Sequence, residues 1–183
     1  DTFKDTIDIN KQNNNGNTAF MIAAQNDSND FSFVLFAQNK SKMNAEVLHY
    51  LCSTFKDAID IDKQNNDGDT IFMRAATSNE IELIKYLYDM FKETININKQ
   101  NNQGFTAFML AAQHSTNSKL IQYLCDTFKD TIDINKQNKY GTTAFMLAAS
   151  HNNSDDVIKY LFDTFKGVID INKQNNNGNT IFM

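Results

Sequence analysis

The stretch Ile97-Asn-Lys-Gln-Asn-Asn-Gln-Gly104-Phe-Thr-Ala-Phe-Met-Leu-Ala-Ala112 decides the fold, because close copies of it begin at Ile9, Ile61, Ile134 and Ile171. The glycines of the copies are Gly16, Gly68, Gly104, Gly141 and Gly178, spaced by 52, 36, 37 and 37 residues. A period in the mid-thirties is the mark of a solenoid, in which each unit buries its apolar face only against its neighbours. The longer first spacing predicts an insertion at about 25–46.

Within each copy the residue types have separate tasks. Gly flanked by Asn and Gln predicts a tight turn, because Gly takes positive φ without steric cost and Asn tolerates it. Thr106 is placed to cap a helix, its hydroxyl accepting from an early N–H. Ala-Phe-Met-Leu-Ala-Ala then predicts a short first helix, with Ala where backbones approach closely. A polar connector leads to a second helix in 119–132, where Ile121, Leu124, Phe128 and Ile132 recur along one face. The aromatic residues keep the same period. Phe20, Phe72, Phe108, Phe145 and Phe182 fall in the first helix, and Phe3, Phe55, Phe91, Phe128 and Phe165 near the end of the second. Tyr50, Tyr86, Tyr123 and Tyr160 hold a third position, and repetition assigns all three sets to the core.

Composition narrows the function classes. A net charge of −5 argues against binding a phosphate backbone, which needs a basic stripe. No run of 18 apolar residues is present, so no membrane span is expected. The chain opens without an initiator Met or a signal peptide, in what reads as the middle of a repeat, so a piece of a longer protein is expected. Asn makes up 26 of 183 residues and sits at fixed places in the period, and the excess reads as compositional drift in polar turns. Cys52 and Cys125 share one repeat position, filled elsewhere by Tyr88 and Phe162, which predicts two buried, reduced thiols too far apart for a disulfide.

No Gly-rich phosphate loop, His-Glu-x-x-His or Gly-x-Ser-x-Gly occurs, so neither enzyme nor cofactor is expected. His49 lies on a second helix. His114 and His151 face the same way on adjacent repeats, but stacked helices stand roughly 10 Å apart and metal ligands must converge to about 2.1 Å. No metal is expected. The Asn-x-Ser sequons at Asn26, Asn39 and Asn152 are those that chance supplies in so Asn-rich a chain.

Taken together these positions resemble the ankyrin repeat. That family enters with Val-Asn, turns at Gly, continues through Thr-Pro-Leu-His and two alanines, and carries a Val-x-x-Leu-Leu core in its second helix. Ile97-Asn98, Gly104, Thr106, Ala111-Ala112 and Ile121…Leu124 stand in the matching places. The resemblance implies an all-α, ankyrin-type helical-hairpin solenoid with short β-turn or hairpin fingers. A single array would cover 1–183, with a partial repeat at 1–8, repeats at 9–60, 61–96, 97–133 and 134–170, and a partial repeat at 171–183. Three departures carry expectations. The family Pro is replaced by Ala19, Ile71, Ala107, Ala144 and Ile181, which removes pre-organisation of the first turn. The family His is replaced by Met21, Met73, Met109, Met146 and Met183. Met cannot make the bridging hydrogen bonds, each worth about 1 kcal/mol net, so repeats joined more by apolar contact than by hydrogen bonds are expected. The family Gly after the second helix is missing, and the extra residues in 125–133 predict longer outer helices.

The resemblance also implies a function: a non-enzymatic protein–protein interaction module that binds a protein partner through its concave face of turn tips and first helices. The alternative is the targeting or substrate-recruiting array of a larger enzyme, a ubiquitin-ligase adaptor or a secreted effector. Phe105 and Tyr140 are the only aromatics in any turn and belong to adjacent repeats; the plainer role for them is mutual packing of neighbouring tips. Arg74 is the only Arg, where other repeats have Ile22, Leu110 and Leu147, and its plainer role is a local salt bridge. Together with Asp67, Asp69, Gln103, Gln113 and His114 they form the candidate partner-binding set. In the insertion, Phe31-Ser-Phe-Val-Leu-Phe36 reads either as an extra helical turn or strand docked on its own repeat, or as an apolar patch for self-association through Phe31, Phe33 and Phe36. An intracellular, cytoplasmic location is expected, with secretion into a host cell as an effector as the alternative.

Overall fold

Each copy of the quoted stretch folds into a turn that runs directly into a helix. Asn13, Asn65, Asn101, Asn138 and Asn175 build the turns: each Oδ1 accepts the backbone N–H groups two and four residues further on, at 2.8–3.0 Å. The glycine three residues after each Asn takes φ of +73° to +81°. At Gly68 two constraints coincide, since a Cβ there would also lie 2.5 Å from the backbone nitrogen of Asn102 in the next repeat. The Thr two residues later caps the helix, with Oγ1 of Thr18, Thr70, Thr106 and Thr143 accepting from the N–H of Met21, Met73, Met109 and Met146 at 3.2–3.3 Å.

A computed structural model describes residues 7–25, 42–114, 118–150 and 155–182. The helices are α1 (Ala19–Gln25), α2 (Lys42–Phe55) with a 3-10 turn at Lys56–Ala58, α3 (Ile71–Thr77), α4 (Ile81–Phe91), α5 (Ala107–His114), α6 (Ser118–Phe128), α7 (Ala144–Ser150) and α8 (Asp155–Phe165). The first helices stack in one layer, α1 on α3 on α5 on α7, and α4, α6 and α8 stack in an outer layer. The fold is an all-α solenoid. Among the described residues the turns hold one isolated antiparallel bridge, Gln12 with Thr18, and no strand. None of the described helices is long and apolar enough to cross a membrane. Phe31, Phe33 and Phe36, the centre of the expected insertion, lie outside the described residues, and α2 already begins at Lys42, inside the span read as inserted.

Three expectations are corrected. The second helix does not run through Ile132: α6 ends at Phe128, whose carbonyl accepts from the N–H groups of Thr131 and Ile132, each at 2.9 Å, and from the Thr131 hydroxyl at 3.0 Å. The extra residues therefore close a turn that aims the chain at the next repeat, and Phe128 and Ile132 are both still buried. The tyrosine position is not core. Tyr86, Tyr123 and Tyr160 are half-buried, and Tyr123 and Tyr160 reach back to the preceding repeat. The Tyr160 hydroxyl donates to Asp126 at 2.7 Å, and the Lys85 ammonium stands 5.8 Å from the centre of the Tyr123 ring. Tyr50 is 61% exposed.

The third correction concerns how the repeats are joined. Two sets of side-chain amides tie the turns along the stack, one to the next turn and one to the segment that leads into it. The amide nitrogens of Gln12, Gln64, Gln100 and Gln137 each donate to the glycine carbonyl of their own turn and to the Gln carbonyl of the next repeat, the latter at 2.7–3.0 Å. Asn10, Asn98 and Asn135 accept from the N–H of Asp60, Asp133 and Asp170 and donate to the carbonyls of Ala58, Thr131 and Val168. Hydrogen bonding thus joins the repeats at the tips, and much of the Asn excess consists of turn-building and bridging amides. Apolar contact joins them in the middle. Phe20, Phe72 and Phe108 on first helices meet Phe91, Phe128 and Phe165 of the following repeat edge to face, with ring centres 5.8, 5.8 and 6.2 Å apart. Met21, Met73, Met109 and Met146 are buried as well.

One rung is incomplete. Asp62 stands where Asn10, Asn98 and Asn135 stand, and it accepts from the Asn96 N–H at 3.3 Å but has no amide hydrogen to donate. Burial pushes its carboxyl above the ordinary range, against the opposing effects of the Asn96 hydrogen bond and the Lys99 ammonium. A raised folded pKa means that the stabilising form is the protonated one, so stability falls as pH rises through that pKa. Asp62→Asn should therefore stabilise the protein by about 1 kcal/mol, with an advantage that grows as pH rises above the ordinary carboxylate range, read by chemical denaturation at several pH values. Hydrogen exchange should find the amides of Asn66, Asn102 and Lys139 slowed, since each donates to a carbonyl of the preceding turn at 3.0–3.1 Å.

Candidate interaction surface

The turn tips are held as one row. Asn66, Asn102 and Asn176 add side-chain bonds to the carbonyls of Asn14, Asn66 and Lys139, at 2.8–2.9 Å. In the fourth turn this position is Lys139, which crosses to the third turn only through its backbone, N–H to the Gln103 carbonyl at 3.0 Å. An aromatic contact stands at this same junction. Phe105 and Tyr140 meet at 6.3 Å between ring centres, with 61° between their planes. Phe105 is 8% exposed and Tyr140 is 56% exposed. The pair therefore packs tip on tip, with Phe105 as the buried base and one face of Tyr140 left to solvent.

The other residues singled out by sequence divide by burial. Asp67, Gln103 and His114 are exposed, and Gln113 is half-buried. Asp69 is tied into the ladder, its carboxylate accepting from the Asn101 amide at 2.8 Å. Arg74, on α3, is half-buried, and its Nε is enclosed without a hydrogen-bond partner. The salt bridge read for it is absent: the described ion pairs are Lys85 with Glu82 and Lys92 with Glu93, both on the outer helices or their ends. Glu80 was missed by the sequence reading. It precedes α4, its Oε2 is likewise enclosed without a partner, and burial raises its pKa above the ordinary carboxylate range. A signal existed, because Glu80 replaces the Asn44, Asn117 and Ser154 of the other repeats.

Among the described residues no group of His, Cys, Asp and Glu could hold a metal ion, and His151 lies outside them. Cys52 and Cys125 are buried and free. Burial pushes both thiols up, Cys125 to about 12, which keeps them protonated and unreactive at neutral pH.

Residues 35–138 match a family model described as ankyrin repeats (3 copies), and residues 127–182 match one described as ankyrin repeats (many copies). The chain belongs to the ankyrin-repeat family. No curated protein matches the sequence. Among solved structures, a chain of the complex of the predatory endopeptidase Bd0816 from Bdellovibrio bacteriovorus with immunity protein Bd3460 superposes with a TM-score of 0.66 at 24% identity, over 97% of this chain and 78% of that one. At that identity the likeness speaks for the fold alone. Protein interaction is the usual role of ankyrin repeats, and at the tips of this array the residues that flank Gly differ from repeat to repeat.

If Phe105 and Tyr140 brace the third tip against the fourth, their effects on stability are coupled. A double-mutant cycle of Phe105→Leu and Tyr140→Leu should give a coupling of about 0.5–1.5 kcal/mol, measured by denaturant unfolding.

Proposed function

We propose that this ankyrin array is a non-enzymatic interaction module that binds a protein partner through its concave face, formed by the turn tips and the first helices. The observation that carries the reading is Tyr140, an aromatic ring more than half exposed at a tip whose backbone is tied to both neighbouring turns. A ring fixed in this way offers a large apolar contact area at little further entropic cost, the property that enriches Tyr at interface hot spots. Exposed Asp67, Gln103, Lys139 and His114 supply a polar surround of mixed charge, which suits a rim. The free, buried thiols are compatible with a reducing, intracellular setting.

Affinity purification followed by titration of the recovered partner tests the reading. Tyr140→Ala should weaken binding tenfold or more, about 1.4 kcal/mol. Tyr50→Ala, which removes a ring of similar exposure from the outer helix α2, should leave binding unchanged. Binding lost with Tyr50 and retained without Tyr140 would place the partner on the convex side and overturn the proposal.

A further inference from the structure

Charge is scarce on the tips and first helices, and where it occurs it is ordered. Charged residues make up 21% of the chain. In the tips at 13–17, 65–69, 101–105, 138–142 and 175–179 and in α1, α3, α5 and α7, the Asp, Glu, Lys and Arg residues are Asp67, Asp69, Arg74 and Lys139 alone. Depletion of charge marks the centre of an interface against the rest of a surface. Asp69 is tied to the Asn101 amide at 2.8 Å, and Arg74 is half-buried on α3, outside the described ion pairs. Asp67 and Lys139 are exposed and also stand outside those pairs. They are of opposite sign and occupy the second and fourth tips, with the uncharged third tip between them. Both stand on backbone held from two sides. The Asp67 N–H donates to Asn65 Oδ1 at 3.0 Å, and its carbonyl accepts from the Asn102 N–H at 3.0 Å. The Lys139 N–H donates to the Gln103 carbonyl at 3.0 Å, and its carbonyl accepts from the Asn176 amide at 2.9 Å. Tyr140 follows Lys139. The other exposed large apolar side chains among the described residues lie in the first repeat or on and after α8, so Tyr140 alone among them has a described turn on either side.

We infer that the row of tips reads an extended segment of the protein partner that carries opposite charges at its two ends: a Lys or Arg facing Asp67, and an Asp or Glu facing Lys139, next to an apolar side chain laid on Tyr140. The inference rests on the concave-face reading above and names the chemistry of the partner at that face. The second and fourth tips are two junctions apart, about 20 Å at a helix-packing spacing of about 10 Å. An extended chain rises about 3.3 Å per residue, so the two charges of the segment fall about six residues apart. Between them the exposed Gln103 offers a carboxamide, which can both donate to and accept from the backbone of the segment. The arrangement also sets direction. In the reversed pose Lys139 would face the partner's cation and Asp67 its carboxylate, and opposed like charges suppress that pose. A segment of one sign throughout meets one favourable and one unfavourable pole. Asp69 adds its charge to the acidic pole, and the apolar ring of Tyr140 distinguishes the basic one.

The test uses the 183-residue chain and a displayed library of random peptides, each about twelve residues long, twice the expected spacing. Selection should enrich peptides with a Lys or Arg and an Asp or Glu about six residues apart and an apolar residue beside the acidic one. A synthetic copy of the strongest binder is then titrated by fluorescence anisotropy. Asp67→Lys and Lys139→Glu should each weaken it about tenfold. The double variant should prefer, by about the same factor, a peptide in which the two charges are exchanged. Asp67→Asn and Lys139→Asn, the residue types of the first and fifth tips, remove each charge without altering the turn and should weaken binding about threefold. Denaturation midpoints show that each variant is folded. Selected peptides without paired charges, an affinity unmoved by the reversals and by the Asn variants, or a library that yields no binder would each overturn the inference. Binding lost in Tyr140→Ala but indifferent to both reversals would overturn it and leave the concave-face reading in place. Binding damaged by Tyr50→Ala alone would overturn both.

Discussion

The bridging amide of Gln64, Gln100 and Gln137 is the interaction on which the rest of the array depends. One NH2 group closes its own turn at the glycine carbonyl and then reaches the carbonyl of the next repeat. Because the same group makes both bonds, a turn that loses its shape also loses its neighbour. The requirement extends to glycine. At Gly68 and Gly104 the next turn approaches so closely that a Cβ would fall within 2.8 Å of a backbone nitrogen, Asn102 in one case and Lys139 in the other. Close approach makes the bridge possible, and the bridge holds the close approach.

Behind the tips the aromatic row carries a different kind of coupling. Each first-helix Phe is packed by the outer-helix Phe of the repeat that follows, so a repeat is not a self-contained unit. This is the quasi-one-dimensional arrangement expected of solenoids, with stability divided between units and the junctions between them. The junctions are not equal. The one between the second and third repeats has Asp62 in place of a bridging Asn, and the one between the third and fourth has Lys139 in place of a bridging Asn, with the Phe105–Tyr140 contact beside it. The residues that mark a candidate surface therefore also brace the stack, and Phe105 has become mainly a brace.

The candidate surface is a by-product of this division. Positions needed for turn, cap and interlock are occupied by the same residue types from repeat to repeat, which leaves the flanks of Gly and the outward side of the first helices free to differ. Tyr140 projects from such a flank, and Arg74 and Glu80, which depart together in a single repeat, both line one small cavity.

The sequence by itself determined the solenoid, the Thr caps, the positive-φ glycines and the burial of Met21, Met73, Met109, Met146, the two Cys and most of the described Phe, because these follow from local rules that recur from repeat to repeat. Tertiary structure decided what depends on the distance between repeats. Asn and Gln look alike in any polar turn, and only the stacking distance converts them from loop composition into hydrogen-bond ladders, which stand beside the apolar contacts that were expected. Periodicity could not separate a helix running through Ile132 from one ending at Phe128, since a turn that folds back buries Ile132 equally well. The tyrosines share the period of the core, but their place at the outer junction is set by the preceding repeat. Glu80 could be seen as an oddity in its repeat, but that its carboxylate shares a cavity with Arg74 depends on the packing of α1, α3 and α4, which no single repeat encodes.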